Sequence, residues 1–229
     1  MVLVSSGPYM CGGALVASKY VVTAAHCLYF NRAATQPMAA SDVSVTLGEH
    51  RRDRTEDMEK QVGVTKIFRH EAYIPFRFVN DIALLELEED VDLNIYTPVC
   101  MARTEDTDTF YGKDALAYGW GKTTYRGLTS NKLLEVSLPV ITPEECWEST
   151  HDGQICAGGE GGDTCQVNLA LEQKRIFNII NHYHYCFRVI AVAHSLITIK
   201  VSTYSLEQPA TVTGDVARYI IAEMNYKMI

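Results

Sequence analysis

Three short stretches hold residue types that could do chemistry together. In Val22-Thr23-Ala24-Ala25-His26-Cys27, two small alanines precede a histidine and a cysteine follows it. That setting leaves room around an imidazole that must reach both a nucleophile and a carboxylate. Downstream, Asn80-Asp81-Ile82-Ala83-Leu84-Leu85 sets an aspartate at the head of an apolar run. A buried aspartate is costly unless it is hydrogen-bonded or paired. Upstream lies Cys11-Gly12-Gly13-Ala14-Leu15. Taken singly, each residue has a plainer reading: His26 as a structural or surface histidine, Asp81 as a strand-edge cap.

Together these motifs resemble the trypsin/chymotrypsin family of serine proteases, from about residue 5 to residue 166. The resemblance implies an all-β, chymotrypsin-like double β-barrel. Barrel one would cover about residues 1–100, and a partial barrel two about 101–166. It makes His26 the general base and Asp81 the carboxylate that accepts its hydrogen bond and sets its tautomer. It pairs Cys11 with Cys27, sixteen residues on, which would fix His26 against its strand, and Cys146 with Cys156. Asp163, two residues before Cys165, falls at the floor of the primary specificity pocket, where a carboxylate selects Arg or Lys. Cys100 falls where relatives bridge to a propeptide.

The elements that must hold these residues are strands. Met1–Val4 and Tyr9–Val16 read as strands around a Ser5-Ser6-Gly7-Pro8 turn, with Gly12-Gly13 permitting close backbone approach. Asn31–Ser41 shows no period and reads as a surface loop. Asp42–Gly48 alternates through Val43, Val45 and Leu47, the pattern of a half-buried strand. Val62–Phe68 is strand-like, and His70 in the following Arg69-His70-Glu71-Ala72-Tyr73 reads as a surface residue. The apolar run after Asp81 is too short for a typical helix and reads as a buried strand. Leu116–Lys122 resembles the family's glycine-tryptophan-glycine strand end. Leu133–Pro139 has period two. Thr142-Pro143-Glu144-Glu145 is a helix start, with Thr142 as N-cap, Pro143 at N1 and Glu145 at N3.

The pattern breaks after Gln166. Active relatives continue as Gly-Asp-Ser-Gly-Gly-Pro, whereas this chain continues as Val167-Asn168-Leu169-Ala170-Leu171-Glu172. Leu169 stands at the serine position, and an alkyl side chain cannot attack a carbonyl. Val167 stands at the oxyanion glycine, and Asn168 at the aspartate that receives the new amine after activation. Composition shifts at the same point: of 15 glycines, only Gly214 follows Gln166. Residues 167–229 therefore read as an unrelated tail. Gln-Val-Asn can be encoded as an exon end followed by a splice donor, so the tail is read as translated intron. Cys165 then loses its usual partner, leaving Cys186 as a candidate. His182, His184 and Cys186 alternate within this tail, a spacing that reads as chance.

Bulk properties set outer bounds. Hydrophobic residues make up 47% and charged residues 21% of the 229-residue chain, an ordinary globular composition. A net charge of −8 argues against a general nucleic-acid binder. No apolar run approaches the roughly 18–20 residues of a membrane span. Seven cysteines without a CxxC pair read as disulfides in an oxidising compartment. The first residues are not a signal peptide, which beside those cysteines reads as a truncated N-terminus of an extracellular protein. The charged segment Glu49–Gln61 has two readings: a solvated loop, or a structural calcium loop. Glu49, Glu56 and Glu59 fall at the family's calcium-loop offsets and are hard oxygen donors, while Arg51, Arg52 and Arg54 would oppose a cation. No cofactor is expected for catalysis.

The expected function is thus serine endopeptidase by family, acting on polypeptides or bound by inhibitors, and inactive as written. Two other readings fit the same residues. One is a non-catalytic homologue that binds a partner. The other is a non-functional product whose stripped second barrel leaves open strand edges.

Overall fold

The computed structural model describes residues 1–31, 33–75, 77–99, 110–121, 128–145, 156–157 and 197–201. Six antiparallel strands close into a barrel: β1 (Val2–Ser6), β2 (Tyr9–Ala17), β3 (Tyr20–Thr23), β4 (Val43–Leu47), β5 (Lys60–Arg69) and β6 (Ala83–Leu87). Their order round the barrel is β1-β2-β3-β6-β5-β4. Four more strands form a second sheet: β7 (Asp114–Gly119), β8 (Leu134–Ile141), β9 (Cys156–Ala157) and β10 (Ile197–Val201), in the order β10-β7-β8-β9. This is the all-β architecture expected of a chymotrypsin-like chain. The backbone of β10, from beyond residue 166, pairs antiparallel with β7 from Ile197–Gly119 to Val201–Ala115. Among the described residues no helix is long and apolar enough to cross a membrane.

Side-chain alternation explains the closed barrel. In β4, Val43, Val45 and Leu47 are buried while Ser44 and Thr46 between them are partly exposed. Successive residues of a strand face opposite sides, so one face fills the interior. β6 differs: Ala83, Leu84 and Leu85 in succession are fully buried. Its outward side is therefore covered as well, which suits its unbroken apolar run. Burying one such aliphatic side chain contributes roughly 1.5–3 kcal/mol. Gly13 on β2 is a packing requirement: a Cβ there would lie 2.9 Å from Val21 and 3.0 Å from Val4. Gly48, after β4, has φ +71°, and a Cβ there would meet the Met58 carbonyl oxygen at 2.0 Å.

The stretch read as a surface loop, residues 31–41, is only partly that. Met38 is buried, and its amide donates to the Leu28 carbonyl at 2.9 Å. Phe30 N–H donates to Gln36 O at 2.9 Å, so the loop folds back on itself.

The second sheet joins the barrel through the segment after Gly48. The Trp120 indole, fully buried beside Leu3, donates to the His50 carbonyl at 3.1 Å. Leu133 N–H donates to the same carbonyl at 2.8 Å, and Arg52 N–H to Asn131 O at 2.9 Å. At the end of β8, the Glu145 carboxylate accepts the Thr142 N–H at 2.9 Å, one half of a capping box.

Candidate active site

His26 sits on a short 3-10 turn, Ala25–Leu28, that leaves the end of β3. Ala24 and Ala25 are fully buried, so only small side chains fit where the strand turns over the barrel rim. Thr23, also buried, satisfies its hydroxyl by donating to Gly12 O at 3.0 Å. The Cys11–Cys27 disulfide ties this turn to β2. Cys156 is disulfide-bonded too, while its family partner Cys146 lies outside the described residues.

Asp81 arrives from the loop between β5 and β6. Ile74 N–H donates to Val79 O at 3.0 Å and closes that loop. Asn80 then takes a left-handed φ of +57°, and its side-chain amide donates to Ala72 O at 2.9 Å. Ile82 N–H donates back to Asn80 O at 2.8 Å, a tight turn centred on Asp81 that aims the carboxylate at the histidine.

The two residues meet through two bonds. Asp81 Oδ1 accepts the His26 backbone N–H at 2.8 Å, and Oδ2 lies 2.6 Å from His26 Nδ1. An ionised carboxylate only accepts, so the proton between them belongs to Nδ1. Nε2 is thereby the nitrogen able to take a proton, the requirement for a general base. Both side chains are mostly buried, 17% and 15% exposed. Two charge-assisted hydrogen bonds offset the cost of desolvating the carboxylate.

The surroundings are aromatic. Phe78, at φ +51°, stands edge-on to the imidazole with ring centroids 5.8 Å apart. Burial pushes the Tyr73 phenol well above its ordinary value, and the charge of Asp81 and then Tyr29 push the same way. Tyr73 therefore stays protonated beside the carboxylate. Nε2 passes 3.3 Å from Cys27 Sγ, a disulfide sulfur with no proton to give. Cys11, His26 and Cys27 are the one close group of metal-type side chains among the described residues. Two of the three are locked in the disulfide, so no thiolate is available to a metal.

The calcium-loop candidates behave unequally. Glu49 Oε1 and Glu59 Oε1 are buried without a hydrogen-bond partner, and so are Nε and Nη1 of Arg52. Burial first, then the charges of Glu59 and Glu56, hold the Glu49 carboxyl above its ordinary range, against the pull of Arg52. Glu56 instead pairs with Arg54, and Arg51 pairs with Asp53. Two of the three arginines are thus engaged by other carboxylates. Glu49, Glu56 and Glu59 do not converge as a set of three. Glu49 and Glu59 are the pair whose unpartnered oxygens suit a hard cation.

His70 corrects the sequence reading. It is buried, not at the surface: it is 8% exposed, and its Nδ1 accepts the Ala72 N–H at 3.0 Å. A ring at the corner between β5 and the aspartate loop has backbone to satisfy, which local polarity does not reveal. Phe78, Tyr73 and Arg69 were not singled out as site residues. The available signal is an arginine that ends a strand, four residues before a tyrosine. Asp163, Val167, Asn168 and Leu169 lie outside the described residues, as do Cys100, Cys165, His182, His184 and Cys186.

The family model described as Trypsin matches residues 1–168. Coagulation factor IX of Cavia porcellus is 36% identical over 167 residues, covering 68% of this chain and 55% of that protein. Mannan-binding lectin serine protease 1 of Rattus norvegicus is 35% identical over 178 residues, 70% of this chain and 25% of that protein. Proclotting enzyme of Tachypleus tridentatus is 36% identical over 168 residues, 68% of this chain and 44% of that protein. The chain thus spans about half or less of the length of each of these relatives.

Proposed function

Because the chain belongs to the trypsin family of serine proteases, we propose that residues 1–166 are the frame of a serine endopeptidase that does not hydrolyse peptide bonds as written. His26 is its general base and Asp81 the orienting carboxylate. The observation that carries this reading is the double bond between them, Nδ1 to Oδ2 at 2.6 Å and N–H to Oδ1 at 2.8 Å. Acyl transfer also needs a nucleophile for the base to activate. Leu169 stands where the serine belongs, and Val167 where the oxyanion-hole glycine belongs.

The ligand class is a polypeptide, either a substrate of the complete relative or an inhibitor. Asp163 would select Arg or Lys through its carboxylate. The disulfides fit an oxidising, extracellular setting. A structural Ca²⁺ held by Glu49 and Glu59 belongs to the same reading. It is supported by their two buried, unpartnered oxygens and would act on stability, not on the chemistry.

Hydrolysis of fluorogenic arginyl and lysyl peptide amides tests the proposal. The chain is expected to match the background of its His26→Ala variant. Turnover above that background, abolished by His26→Ala, would overturn the predicted inactivity. Sequencing the transcript across the codons for Gln166 and Val167 tests the tail. A product continuing as Gly-Asp-Ser-Gly-Gly-Pro would make residues 167–229 intronic and the cellular protein an active protease.

A further inference from the structure

We propose that Arg69 is a positioning residue for the His26–Asp81 pair, tying the loop that follows His26 to the strand that leads to Asp81; this rests on the pairing described above. Arg69 is the last residue of β5 and stands opposite Ala83, two residues after Asp81. Its Nη2 donates to Leu28 O at 3.1 Å and to Met38 O at 2.5 Å. Leu28 ends the 3-10 turn that carries His26, and Met38 closes the loop that follows it. One guanidinium therefore grips both ends of the histidine loop from the strand that feeds the aspartate loop.

A second path joins the same residues. The guanidinium carbon lies 5.2 Å from the centroid of the Tyr29 ring, within cation–π range. The Tyr29 and Tyr73 rings are 5.9 Å apart, and Tyr73 is the phenol that feels the charge of Asp81. Arg69 thus touches the residues on both sides of the pair without touching the pair itself.

Among the described residues the charge has no counter-ion to explain it: no carboxylate lies within salt-bridge distance of Arg69, and its Nε is buried without a partner. Burial also pulls the guanidinium down from its ordinary value. A half-buried cation that holds two neutral carbonyls is a costlier way to pack a loop than a neutral donor. The planar fork accounts for the residue type: it can bond carbonyls at its edge while its face lies on an aromatic ring, which a lysine ammonium cannot do.

The test uses the full chain and the proton on His26 Nδ1, observed by NMR. The wild type should show this proton as a downfield, slowly exchanging resonance, absent from Asp81→Asn. Arg69→Met should lose it or exchange it roughly tenfold faster, as expected when one positioned hydrogen bond is loosened. Arg69→Lys should fall between the two. Val45→Ala, a core truncation on β4, destabilises the barrel without touching this network and should leave the resonance unchanged. A folded Arg69→Met with unaltered exchange would overturn the role, as would an equal change in Val45→Ala. If Arg69→Met does not fold, Arg69→Lys decides, and unaltered exchange there overturns it. A wild type without the resonance would remove the pair itself, and this role with it.

Discussion

The barrel of β1–β6 and the sheet of β7–β10 are both built from antiparallel strands, yet they contribute differently to the site. In the barrel every strand has two neighbours. Both loops that carry chemistry, the turn holding His26 and the tight turn at Asp81, leave strands that pair side by side, Thr23 with Ala83. The barrel therefore brings His26 and Asp81 together at one rim. The second sheet is docked through Trp120 and the residues after Gly48. The family match ends at residue 168, and on the reading proposed above no nucleophile follows it. On that reading, one half of a catalytic machine is built while the other lacks its reacting atom.

The largest expected difference separates a buried leucine of the barrel from an exposed one of the second sheet. Leu84→Ala, at a fully buried position of β6, should cost about 2–5 kcal/mol in denaturant unfolding. Leu134→Ala on β8, 39% exposed, should cost less than about 1 kcal/mol. Comparable losses would break the contrast. Replacing Cys11 and Cys27 together by alanine opens a loop of sequence separation 16 and should cost about 3 kcal/mol, read as a lower Tm. Asp81→Asn should cost about 1–3 kcal/mol by removing a charge-assisted bond. A stability equal to wild type would show that the pair contributes nothing to the rim.

The smallest effect concerns the loop that joins the two regions. The Glu49 carboxyl is held above its ordinary pKa when folded, so the folded state binds its proton more tightly than the unfolded state does. Without a cation, its favourable contribution is full below the unfolded pKa and is lost as pH rises through the raised folded value. Glu49→Gln should flatten that part of the Tm–pH profile. Added Ca²⁺ should raise Tm above that window in the wild type, and not in Glu49→Gln or Glu59→Gln. A calcium shift that survives both substitutions would move the site elsewhere.

Much of the barrel was legible because its cause is local. Val43, Val45 and Leu47 announce β4 by alternation, and Ala83–Leu85 announce a doubly covered strand by their unbroken apolar run. His26 and Asp81 were legible through their flanking residues, although 55 positions separate them. What closes that separation is strand pairing between β3 and β6, which no local pattern encodes. His70, Met38 and Arg69 were misread or passed over for the same reason. Their burial is set by loops folding back from distant strands, and a polar or flanking residue looks the same in sequence whether or not another segment covers it. The calcium-loop offsets pointed to three glutamates, but Glu56 turns to Arg54, a choice made by side-chain geometry rather than spacing.

The central claim is a formed base with no nucleophile to serve. The most direct measurement is the intact mass of the chain after exposure to a fluorophosphonate, whose electrophilic phosphorus is captured by a serine activated by a neighbouring histidine. The account predicts an unchanged mass, the same as for His26→Ala. A single phosphonyl adduct that disappears in His26→Ala would contradict it, showing that some serine of this chain reaches Nε2 and that the machine is whole.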